Sequence, residues 1–169
     1  MPSTNPPGHT LTPPNCLVPN SWDCEDWGTT FTDRQGTDAS LWRNVGTLAH
    51  YGVALGYGNG TFGPSDNVTY GQTISFITRA MIAKGYWVAK PSEAIPYLNV
   101  PSAHLADVRT FHFYTKATFG GVPDAPTAGN VGFNNWNDPS SRGWFARTLW
   151  AAVNSYFSVD QPNQGGYIP

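Results

Sequence analysis

The nine residues Gly56-Tyr57-Gly58-Asn59-Gly60-Thr61-Phe62-Gly63-Pro64 constrain this chain more than any other stretch. Four glycines and a proline in nine positions exclude both helix and strand, so the segment must be a compact loop. A capped helix follows it at once. Thr69 suits an N-cap and Gln72 lies three residues on, the reciprocal capping-box spacing. Phe76, Ile74, Ile77 and Met81 give this helix its apolar surface, and Gly85 just past Lys84 supplies a C-terminal stop. In front of the loop, Leu41, Val45, Leu48, Ala49 and Val53 recur at three- and four-residue spacing, which predicts a helix beginning near Ala39 with Trp42 beside its apolar face. Tyr57 and Phe62 are expected to turn inward as plugs.

The same order returns with weaker signals. Leu105, Val108, Phe111 and His112 predict a helix after Tyr97-Leu98-Asn99-Val100-Pro101. A loop containing Gly120, Gly121, Pro123 and Pro126 leads to Phe133. Ser141-Arg142-Gly143-Trp144 opens a last helix whose Phe145, Leu149, Val153 and Phe157 form one stripe. Phe62 then corresponds to Phe133, Thr69 to Ser141 and Gly71 to Gly143, an interval of roughly 70 residues. The expected fold is mainly α: two helix–loop–helix repeats packed together, at 31–88 and 95–157. An extended arm over 1–30 precedes them, restricted by Pro2, Pro6, Pro7, Pro13, Pro14 and Pro19, and a coil tail over 158–169 follows.

The first half, from Phe31 to Ala83, resembles the S-layer homology family. Its Phe-x-Asp opening is matched by Phe31-Thr32-Asp33, its Trp-led helix by Trp42, Val45 and Leu48, and its Gly-Tyr-x-x-Gly-Thr-Phe-x-Pro loop by residues 56–64. The Val-Thr-Arg-Ala-Glu start of the next helix is matched in part by Val68-Thr69-Tyr70-Gly71-Gln72. The second half, 97–152, reads as a degenerate copy. The resemblance implies a helical, non-enzymatic module. Such modules usually have three repeats about a pseudo-threefold axis and hold a pyruvylated cell-wall polysaccharide in the grooves between them. The candidate glycan-binding residues are accordingly Trp42, Tyr57, Tyr70, Gln72, Ser141, Arg142 and Trp144. Two departures bear on that implication: Tyr70 stands where the motif has arginine, and a third repeat is absent from the sequence. A structural subunit of an extracellular layer or fibre, self-associating through the open side, is the leading expectation, and an anchoring module for cell-wall polysaccharide is the alternative.

Composition narrows the remaining classes. Charged residues make up 12% of the 169 positions, against roughly 25% in a typical soluble domain, and Asn, Ser, Thr and Gly carry the polar surface, as on many extracellular proteins. The nine basic residues are scattered, so no stripe could follow a phosphate backbone. No apolar run approaches the roughly 20 residues of a membrane span. Met1-Pro2-Ser3-Thr4-Asn5 has no basic start and no apolar core, so no signal peptide is visible. The reading is a cell-surface protein whose numbering begins past any leader, with a cytosolic protein as the alternative.

Cys16 and Cys24 would close a short disulfide loop in an oxidising compartment and stay two separate thiols otherwise. Asn59-Gly60-Thr61 and Asn67-Val68-Thr69 are glycosylation sequons, although a turn role for Asn59 and a cap role for Thr69 explain both without sugar. His9, His50, His104 and His112 show no metal-ligand spacing. No Gly-x-Ser-x-Gly elbow is present, and the carboxylates Asp33, Asp66 and Asp138 fall at turns or helix starts. No catalytic residue, metal or cofactor is expected.

Overall fold

The computed structural model describes residues 31–33 and 39–158. Their order is α1 (Ala39–His50), α2 (Tyr70–Ala83), α3 (Ser102–Phe119) and α4 (Arg142–Ser158), with isolated bridges and no strands among them. The arm, with Cys16 and Cys24, and the tail from residue 159 lie outside the described residues. The chain divides into two compact units, 1–63 and 64–169. The division falls at the last residue of the glycine loop, before α2 and inside the first expected repeat.

In the first unit, α1 turns its Trp42 and Val45 inward, 2% and 3% exposed, and Val53 and Ala54 close the same small core. Leu41 and Leu48, expected on the buried face, are exposed. Trp42 outweighs them because its ring covers more area than either leucine, and the helix rotates to bury it. Beyond α1, the Val53 N–H reaches the Leu48 carbonyl at 2.8 Å and the Gly52 N–H reaches that of Ala49 at 3.0 Å. These bonds satisfy carbonyls that a helix end otherwise leaves open.

The glycine loop is held by a carboxylate. Asp33 accepts from the Phe62 N–H at 2.9 Å through one oxygen and from the Gly63 N–H at 2.8 Å through the other. The Thr32 N–H donates to the Gly60 carbonyl at 3.0 Å. Phe62 comes to lie against Phe31 and edge-on to Trp42, with ring centroids 5.5 and 6.3 Å away. Phe62 thus plugs the loop as expected, whereas Tyr57 is exposed. At Gly56 the backbone has φ +65°, and an added Cβ would strike the Phe31 ring and the Thr61 carbonyl; glycine alone meets both demands.

The second unit packs α2 against α3 and α4. Its core holds Ile74, Ile77 and Met81 of α2, Val108 and Phe111 of α3, Ala151 and Ala152 of α4, and Trp87, Phe133, Trp136 and Trp144 around them. The helices of this unit also enclose Thr73, Ser75, Thr78, Thr110, Thr115, Thr148 and Ser155, all buried. Several of these hydroxyls bond within their own helix: Thr115 to the Phe111 carbonyl at 2.7 Å, Thr110 to that of Ala106 at 2.9 Å and Ser155 to that of Ala152 at 2.7 Å. Small side chains let the backbones come close, and most of these hydroxyls are satisfied; the buried Thr148 hydroxyl is the exception, with no partner. On α4 this surface takes the inside, and the expected stripe of Phe145, Leu149 and Val153 lies outside at 39%, 41% and 40% exposure. The Phe157 side chain lies outside the description.

The α2 boundaries follow the sequence signals. The Thr69 hydroxyl accepts from the Gln72 N–H and the Gln72 side chain accepts from the Thr69 N–H, which completes the box. At the far end Gly85 takes φ +75° and its N–H bonds the Ile82 carbonyl at 2.8 Å. The segment from Trp87 to Glu93 runs along α3. Trp87 stacks on Tyr114 at 4.8 Å, the Lys90 N–H donates to the Thr110 hydroxyl at 2.9 Å, and Lys116 pairs with Glu93.

Two outcomes test this architecture. The two backbone donors hold the Asp33 carboxyl below its ordinary value of 3.8. Its contribution is therefore complete above that value and fades as the pH falls below it. Asp33→Ala is expected to release the loop and expose Trp42, read as a red shift in tryptophan emission at neutral pH; the wild type should show the same shift only in strong acid. Gly71 faces the His104 ring so closely that an added Cβ would overlap it. Gly71→Ala is expected to push α2 off α3 and cost about 1–3 kcal/mol in urea denaturation.

Candidate functional site

At the start of α2 the backbone donors already have partners. The Tyr70 N–H bonds the Asp138 carbonyl at 3.1 Å and the Gly71 N–H bonds that of Trp136 at 2.9 Å. The Gln72 N–H is taken by the Thr69 hydroxyl. Helix N-termini attract anions because their first N–H groups lack partners; here the loop before α4 supplies them. Side-chain bonds tighten the junction, with Thr73 and Ser140 hydroxyls 3.0 Å apart and the Ser140 N–H on the Val68 carbonyl at 2.9 Å.

Tyr70 joins an aromatic group. Its ring stacks on Phe133 at 4.2 Å with 5° between the planes and meets Trp144 edge-on at 4.6 Å. Phe133 in turn meets Trp136 edge-on at 4.8 Å. Alternating stacked and edge contacts suit the ring quadrupoles. Tyr70, Phe133 and Trp144 line a depression of about 410 Å³ with Asp124 and Asn130 on its rim. A neighbouring cleft of about 420 Å³ shares Asp124 and Asn130 and runs between Tyr97, Phe119 and Trp150, with Arg147 paired to Asp124 at its mouth. Trp150 is 56% exposed and edge-packed on Phe119 at 4.7 Å.

Among the seven candidate residues, Tyr70 and Trp144 come together around Phe133. Trp144 is buried and its indole N–H donates to the Pro123 carbonyl at 3.0 Å, so only part of its ring can meet a ligand. Ser141 caps α4, accepting the Trp144 N–H at 3.1 Å, and Arg142 is the exposed first residue of that helix. Gln72 is committed to the capping box. Trp42 and Tyr57 belong to the other compact unit. Trp42 is core there, without an open face for a sugar, whereas Tyr57 is exposed. Both sequon asparagines are exposed. The Asn59 side-chain Oδ1 accepts the Thr61 hydroxyl at 2.7 Å and the Thr61 N–H at 3.1 Å.

Sequence reasoning did not single out Phe119, Trp150, Tyr97 or Asp124 for the cleft. They converge from two helices and two loops, and no local spacing announces that. Burial, reinforced by Lys116, lowers the pKa of His112, and burial with Arg79 lowers that of His104. No group of three or more His, Cys, Asp or Glu that could hold a metal occurs among the described residues. None of the described helices is long and apolar enough to cross a membrane.

Comparison with known families singles out the N-terminal part of the molecule. Residues 30–74 match the family model of the S-layer homology domain. The match takes in Asp33, α1, the glycine loop and the first turn of α2, and the expected second repeat lies outside it. No curated protein and no solved structure matches the chain. The segment 30–74, with its carboxylate-held glycine loop and capped helix start, carries the pattern of the S-layer homology domain, and that domain indicates a cell-surface or cell-envelope protein.

Proposed function

We propose that the protein is a non-enzymatic structural subunit of an extracellular layer or fibre, built from two helix–loop–helix repeats at 31–88 and 95–157, that associates with copies of itself. The observation behind this reading is the outer face of α4. Phe145, Leu149 and Val153 stand four residues apart, each about two-fifths exposed, with Trp150 beside them. No acidic residue occurs anywhere in the α4 sequence. An apolar stripe of this length on a helix surface is the usual mark of a contact surface, and in a surface layer the abundant neighbour is another copy.

The test is the oligomeric state. Wild-type protein is expected to sediment as larger species with rising concentration, and Leu149→Glu, which leaves the core untouched, should remain monomeric with unchanged circular dichroism. A wild type that stays monomeric at millimolar concentration would defeat the proposal.

A second reading, anchoring to cell-wall polysaccharide, draws on the Tyr70–Phe133–Trp144 depression and on the exposed Arg142. Aromatic faces suit sugar rings, and an arginine at a helix start suits a carboxylate. If this reading holds, Arg142→Ala should lower retention on purified cell walls severalfold; equal retention would remove it. Any sugar on the protein itself would sit at Asn59 or Asn67, and a bond between Cys16 and Cys24 belongs to the same extracellular reading.

A further inference from the structure

The corner after α3 is tied to the body of the second unit by a chain of two hydrogen bonds. The Val122 N–H donates to the Tyr97 phenol oxygen at 2.6 Å, and that oxygen lies 2.7 Å from Nδ1 of His112. The phenol has one proton. With its oxygen accepting from Val122, we assign its own O–H to His112, whose Nδ1 then carries a lone pair. In this assignment His112 is neutral with its proton on Nε2, in keeping with the lowering of its pKa by burial. The fit leaves no slack: a Cβ on Gly121 would overlap both the phenol oxygen and Nδ1.

We propose that this relay is an acid-released latch, in which protonation of His112 frees the Gly120–Val122 corner and opens the cleft between Tyr97, Phe119 and Trp150. A proton on Nδ1 puts two hydrogens between that nitrogen and the phenol oxygen. The phenol must then turn its hydrogen away. On its other side stands the Val122 N–H, also a donor, so the O–H loses its acceptor. Ionising the phenol is no escape, because burial pushes Tyr97 up to about 12.

The charges around the ring do not cancel this effect. Lys116, on α3 with His112, disfavours the imidazolium, and Glu93 on the preceding segment favours it, but these two are paired with each other. Across the cleft Asp124 and Arg147 are likewise paired. The folded corner thus prefers neutral His112, so its closure is strongest above the ordinary histidine value of 6.5 and weakens as pH falls below it. Release is local, because the Pro123 carbonyl stays bonded to Trp144 and that of Pro126 to the Leu98 N–H. Val122, now 5% exposed, would reach water.

Amide exchange at Val122, measured by NMR on the full chain from pH 7.5 to 5 and corrected for intrinsic rates, tests the latch. Opening at Val122 is expected to rise about tenfold per pH unit in the acid range, as one proton requires, while amides in the middle of α2 change little. His112→Asn keeps an acceptor near the Nδ1 position and cannot titrate, so its Val122 protection should be flat with pH. His104→Asn should retain the wild-type slope. A flat wild-type profile, an equal slope in His112→Asn, or a parallel loss at Val122 and Ile77 would each overturn the proposal.

Discussion

The second unit depends on one junction, where the backbone of residues 136–140 supplies hydrogen-bond partners to the start of α2. Tyr70 and Gly71 donate to carbonyls of Asp138 and Trp136, and Ser140 donates back to Val68. A buried helix start without such partners would cost roughly 1–3 kcal/mol for each orphaned group. Because the bonds are to backbone, they fix register as well as energy. Once α2 begins where the loop before α4 ends, Tyr70 must meet Phe133 and Trp144, and α4 must leave the junction along α2. The aromatic cluster, the depression beside it and the direction of α4 all follow from this pairing.

The same junction accounts for Tyr70. An arginine at the first position of α2 would need either solvent or an anion. Here the position is half-buried, stacked on Phe133, and the neighbouring N–H groups are spent. Tyrosine fills the space with a ring. The N-terminal unit solves its own loop by other means, with the Asp33 carboxylate in the role that carbonyls play at α2. A charged acceptor suits that site because two adjacent N–H groups converge on it and the carboxylate offers an oxygen to each.

Sequence reading succeeded where the signal was chemical and local. The Thr69–Gln72 box, the stop at Gly85, the start of α1 near Ala39, the opening of α4 at Ser141–Trp144 and the plug role of Phe62 all depend on residues within a few positions of one another. It failed where hydrophobicity was used to choose a face. Leu41 and Leu48 gave way to Trp42, and Phe145, Leu149 and Val153 gave way to Trp144, Thr148, Ala151 and Ser155. In both helices periodicity located the helix but not its rotation. A surface of Ala, Thr and Ser carries little hydropathy, yet it allows the closest approach of two backbones and the densest packing. The cleft was less legible still, since Tyr97, Phe119, Asp124 and Trp150 meet only through long-range folding.

The exposed stripe on α4 and the Thr/Ser-lined interior are two consequences of one choice. A helix has only one face that can approach its neighbours closely, and in α4 that face carries small side chains anchored by Trp144. The larger aliphatic residues are then displaced outward by geometry, whatever their preference for the interior. Burying Phe145, Leu149 and Val153 within the same chain would require rotating α4, which would break the Trp144 bond to Pro123 and draw Ala151, Ala152 and Ser155 out of the interior. Both losses act on buried groups. The apolar area left outside thus cannot be recovered by internal rearrangement, and covering it requires a surface other than the α2 and α3 faces that α4 already engages.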